Sequence, residues 1–95
     1  MDTTQVTEQK VKAQLDKFDA QITEMKAKAA QSKAEAKVNY YEKIEELQTQ
    51  RDSIGKQLEE FKASSESAWE DIQEGIEGAV GRLQKSFEKA ASHFN

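Results

Sequence analysis

"KASSESAWED", residues 62–71, interrupts an apolar periodicity that otherwise runs along most of the chain, and its reading decides the fold. Ser64, Ser65 and Ser67 carry hydroxyls that compete for backbone hydrogen bonds and so favour helix ends over helix interiors. Ser67 with Glu70 matches the S-x-x-E capping box, in which side chain and backbone satisfy a helix's first amides reciprocally. The stretch therefore predicts a turn near residues 63–67, with one helix over about 5–62 and a second over about 67–92. At 1.5 Å per residue these helices measure about 85 Å and 40 Å. The shorter cannot cover the longer, so this reading calls for a second chain. A turn near 51–55, at Arg51 to Gly55, is the alternative and gives a nearly symmetric monomeric hairpin.

Upstream, Val11, Leu15, Phe18, Ile22, Met25, Ala29, Ser32 and Ala36 alternate steps of four and three, the heptad seam of a coiled coil. The seam turns small through "AKAAQSKAEA", which fits either close helix approach or weak packing. Two steps of four, from Ala36 to Tyr40 and on to Ile44, form a stutter. Heptads resume at Ile44, Leu47, Arg51, Ile54, Leu58, Phe61 and Ser65. Arg51 is the odd member: it either fixes register or carries its charge outward on an apolar stem. Gly55 costs a helix about 1 kcal/mol relative to alanine without having to break it.

Downstream the period changes. Trp69, Ile72 and Ile76 recur eleven residues later as Val80, Leu83 and Phe87, and in part as Ala91 and Phe94. Eleven residues make three turns, so this stripe runs almost straight along the helix. Gly75 falls on its flank with Ala68, Ala79, Ser86 and Ala90, a line of small residues expected to admit a neighbouring helix. Gly78 and Gly81 point to the far side and only weaken the helix. Acids at its start and bases toward its end complement the helix dipole.

Composition excludes several classes of function. The 95 residues include no proline, no cysteine and four glycines, with 36% apolar and 34% charged residues. Such a chain fits long helices and offers neither disulfides nor thiolate chemistry. The start, "MDTTQVTEQK", lacks an apolar signal region, and no run approaches a membrane span, so a cytoplasmic protein is expected, with attachment to a membrane periphery as the variant. A net charge of -4 argues against nucleic-acid binding. The charge is lopsided: residues 10–43 hold eight bases and five acids, residues 44–80 three bases and ten acids. The blocks are either solvated faces or halves of an antiparallel apposition, within one chain or between two.

The stretches "KAQLDKFDAQITEMKAKAAQSKAEAK", "YYEKIEELQTQRD" and "SAWEDIQEGIEGAVGRLQKSFEKAASHF" together resemble a family of small bacterial coiled-coil proteins, found in cyanobacteria and other bacteria and described as stress-response proteins. The resemblance spans about residues 10–94. Its most specific parts are the Ala13–Ala20 opening and the "AWED" and "KAAS" elements. Phe18 stands where many relatives carry tryptophan, and Gly78 and Gly81 stand where alanine or larger residues are expected. The resemblance implies expression under stress and assigns no biochemical mechanism to any residue.

No catalytic, cofactor or metal site is expected. His93 is the only histidine, and Glu42, Glu45 and Glu46 lack any accompanying ligand type. "GIEGAVGRL" has no phosphate-loop spacing. Tyr40 and Tyr41 have no basic stripe around them, which favours packing over base stacking. The expectation is an all-α coiled-coil protein, either a helical hairpin or a bent helix, that forms a homo-oligomer. Leu15, Phe18, Ile22, Met25, Ile44, Leu47, Ile54, Leu58 and Phe61 are its self-association surface, joined by Trp69, Ile72, Ile76, Val80, Leu83 and Phe87. The alternative is binding of a membrane surface or a protein client, with holdase-like protection, through residues 67–94.

Overall fold

The computed structural model describes residues 3–93, and every regular element in them is helical. Helix α1 spans Thr3–Ala30, α2 spans Ala34–Ala63 and α3 spans Trp69–His93, with a 3-10 turn at Glu66–Ala68 leading into α3. The chain reverses at 31–33 and again at 64–68, so α2 runs antiparallel to both neighbours and α1 lies parallel to α3. The resulting bundle measures 50 × 19 × 18 Å. Its long axis is close to the length of α2, about 45 Å for 30 residues.

The helix expected over 5–62 is thus two helices. Nothing in Gln31-Ser32-Lys33 forbids helix, yet a continuous helix would leave its whole apolar seam in water. Folding back buries Leu15, Phe18, Ile22 and Met25 of α1 with Ile44, Leu47, Ile54 and Leu58 of α2. Each such side chain contributes about 1.5–3 kcal/mol on burial, far more than the helix propensity given up at three connector residues. The alternative turn at 51–55 does not occur: Arg51 and Gly55 lie inside α2. The turn expected near 63–67 does lie between α2 and α3, but without the capping box. Ser67 sits within the 3-10 turn, where its hydroxyl meets that of Ser65 at 3.0 Å, and the Ser65 carbonyl accepts from the Ala68 amide.

Trp69 secures this second turn. Its indole N–H donates to the Ser64 carbonyl at 3.2 Å, and its ring leans on Phe61 with centroids 6.0 Å apart. One side chain thereby satisfies a carbonyl at the end of α2 and covers the last large residue of the α2 seam. At mid-height Phe18 of α1 and Phe87 of α3 stack, 5.1 Å between centroids and 8° between planes, which closes the third side of the bundle.

Candidate functional site

Among the described residues the candidate site is the set of interhelical seams. Twelve of the fifteen residues expected to mediate self-association are buried within the single chain: Leu15, Phe18, Ile22, Met25, Ile44, Leu47, Ile54, Leu58, Phe61, Ile76, Leu83 and Phe87. Trp69, Ile72 and Val80 are partly buried and pack against them. The structure therefore brings all fifteen to one core within the chain. Thr7, Val11, Ala29 and Ala90 complete the buried set. Thr7 extends the α1 seam one step of four before Val11, a position that its hydroxyl disguises in an apolar pattern. Phe94, the last member of the eleven-residue repeat, lies outside the described residues, as does the side chain of His93.

Polar residues fix the register of α1 on α2. Arg51 donates from Nε to Asp19 Oδ1 at 2.7 Å and from Nη2 to Oδ2 at 3.1 Å, a two-point grip that a lysine cannot make. The hydrogen bond to Asp19 also raises the Arg51 pKa above its ordinary value. Glu8 lies near Lys12 at 3.1 Å on its own helix and near Lys62 of α2 at 3.6 Å. Hydrogen bonding to Lys12, seconded by the charges of both lysines, lowers the Glu8 pKa below 4.5 despite partial desolvation. Of the two readings of Arg51, the paired, half-buried geometry fits the register role.

The charge blocks do not coincide with helices: residues 10–43 cover most of α1 and the start of α2, and residues 44–80 cover the rest of α2 and the first half of α3, so only part of the basic block lies antiparallel to part of the acidic one. The ion pairs that join α1 to α2 nevertheless use the minority charges: Asp19 and Glu8 are acids of the more basic helix, and Arg51 and Lys62 are bases of the more acidic one. Block charge thus says little about which groups touch.

The glycines divide differently from expectation. Gly75 is exposed, and a Cβ added there would meet only Gln57 Nε2 at 3.9 Å, an ordinary contact. Close helix approach does not require it. A Cβ on Gly78 would lie 3.5 Å from Arg82 Nη1, and one on Gly81 would meet nothing within 4 Å. No glycine has a positive φ, so the backbone of α3 requires none of the three.

Glu42, Glu45 and Glu46 line a shallow surface depression with Thr49 and Gln50. Among the described residues no group of three or more His, Cys, Asp or Glu side chains is placed to hold a metal ion. Tyr40 packs against the core, while Tyr41 is 46% exposed. No helix among these residues is long and apolar enough to cross a membrane. No protein-family model, no curated protein and no solved structure matches the chain.

Proposed function

We propose that this chain is a non-enzymatic interaction protein of the cytoplasm that self-associates by exchanging its intrachain helix contacts for the same contacts with another chain. Its setting in a stress response rests on the sequence resemblance alone. The observation that carries the reading is that α1 and α2 bury their apolar seams against each other in antiparallel register, a surface that another copy of the chain can supply equally well. Light scattering coupled to size exclusion tests it. A mass that rises from 10.7 kDa toward twice that value with protein concentration supports self-association, and a constant 10.7 kDa up to millimolar chain removes it.

The glycines of α3 favour a second reading. Gly78 and Gly81 each weaken the helix by about 1 kcal/mol with no packing return. In this reading α3 detaches and lays Ile76, Leu83 and Phe87 on a membrane surface or an unfolding client. Flotation with neutral and anionic liposomes, and suppression of aggregation of a heated client, test it. Binding lost on Phe87→Glu supports release of α3; no binding and no protection end it.

A further inference from the structure

The connector between α1 and α2 holds none of the residues that usually enforce a helix break. Gln31, Ser32 and Lys33 include neither glycine nor proline, no φ there is positive, and Lys33 precedes α2 with no side-chain cap. The seam passes through without losing step, from Ala29 to Ser32 to Ala36. The reversal is imposed by packing, not by local preference.

The register has a matching property. Glu8 pairs with Lys62 and Asp19 with Arg51, and both pairs are centred on residue 35. Consider two chains, each helical from 3 to 63 and about 90 Å long, laid antiparallel about a two-fold axis at residue 35. Position 8 of each then lies against 62 of the other, and 19 against 51. The hairpin register is the register of a symmetric dimer folded back on itself.

We infer that the protein exchanges its α1–α2 hairpin with a second copy, residues 31–33 straightening into helix as the hinge. The inference rests on the self-association reading above and specifies its route. Each α3 stays on its own α2 through the turn that Trp69 secures, so Phe87 of one chain stacks on Phe18 of the partner subunit. Every interhelical contact of the monomer is kept. The gain is helical hydrogen bonding through the connector and the approach of Ala29, Ser32 and Ala36 across the axis; the cost is the lost freedom of one chain. The closed monomer therefore prevails in dilute solution and the exchanged dimer at high concentration.

Proline placed at either turn separates this route from others. Lys33 has φ -66° and Ser65 has φ -76°, both proline-compatible, and neither amide donates in the hydrogen bonds of its turn. The full-length chain and its variants are refolded over a range of concentrations and sized by light scattering, with helicity followed by circular dichroism. Lys33→Pro is expected to weaken the dimer by more than about a thousandfold while leaving a helical monomer, because proline bars helix through the hinge. Ser65→Pro is expected to keep the dimer. Replacing Gln31, Ser32 and Lys33 together by alanine is expected to tighten the dimer about tenfold by favouring helix at the hinge. A dimer that survives Lys33→Pro, or that Ser65→Pro also abolishes, overturns the route while self-association stands. A wild type that is monomeric at every concentration overturns both. Should Lys33→Pro fail to fold, the alanine variant decides, and no tightening overturns the route.

Discussion

Asp19 and Arg51, 32 residues apart in sequence, face each other across the α1–α2 seam with both carboxylate oxygens engaged by one guanidinium. Arg51 occupies a seam position that an aliphatic residue would ordinarily fill, and it is 27% exposed where Asp19 is 44% exposed. Solvent screens the pair, so its net contribution is about 1 kcal/mol or less. Its larger effect is on register, since a shift of α1 by one turn would strand a cation against Leu15 or Ile22.

Arg51→Lys is expected to lower stability by about 0.5–1 kcal/mol, because an ammonium cannot hold both oxygens. Asp19→Asn should cost a similar amount, and the double variant should cost less than the two losses combined. Urea denaturation of the four proteins measures this coupling; strict additivity would mean that the pair contributes nothing.

Gly78→Ala and Gly81→Ala are each expected to stabilise α3 by about 1 kcal/mol, since both positions are exposed and have room for a Cβ. Gly75→Ala should behave likewise. Gly55→Ala should gain less, because its Cβ would lie 3.4 Å from the Arg51 guanidinium that the Asp19 pair needs in place. Thermal unfolding of the four variants gives this order, and a loss at Gly81 would contradict it.

The stack of Phe18 on Phe87 joins the two helices that are not neighbours in sequence. Phe87→Ala, at a site 3% exposed, is expected to cost about 3–5 kcal/mol. Phe87→Leu keeps most of the buried area and should recover more than half of that loss. Equal losses for the two variants in chemical denaturation would argue against aliphatic burial as the main term.

Acid should weaken the bundle through Glu8. Its folded-state pKa is lowered, so its contribution is fully present above the ordinary value of 4.5 and is lost as pH falls through the lowered value. Stability curves of wild type and Glu8→Gln, measured from pH 7 to pH 2.5, should converge at the acid end. A constant separation at all pH values would contradict this assignment.

The seams were legible in sequence because steps of three and four mark one helical face whatever covers it. Leu15, Phe18, Ile22, Met25, Ile44, Leu47, Ile54, Leu58, Phe61, Ile76, Leu83 and Phe87 all reach the core. The covering partner was not legible: a heptad pattern is the same whether the opposite helix belongs to this chain or to another. The second turn announced itself through Ser64, Ser65 and Ser67. The first did not, since Gln31, Ser32 and Lys33 tolerate helix and only the burial gained across 30 residues selects the reversal. Arg51 stood out as a polar seam member, but Asp19 as its partner requires the folded register. Trp69 illustrates the same limit, because its apolar spacing was plain while its hydrogen bond to Ser64 depends on the shape of the turn.

The distance between positions 10 and 60 in a single chain tests the account most directly. Lys10 and Glu60 are exposed on α1 and α2, centred on residue 35 like the two ion pairs, and the absence of native cysteine allows both to be replaced and spin-labelled. Labelled chains refolded in dilute solution with excess unlabelled protein report only the intrachain separation. The account predicts labels on two packed helices whose axes lie about 10 Å apart. A separation of roughly 75 Å, that of 50 residues along one unbroken helix, in chains that light scattering shows to be monomeric would contradict it.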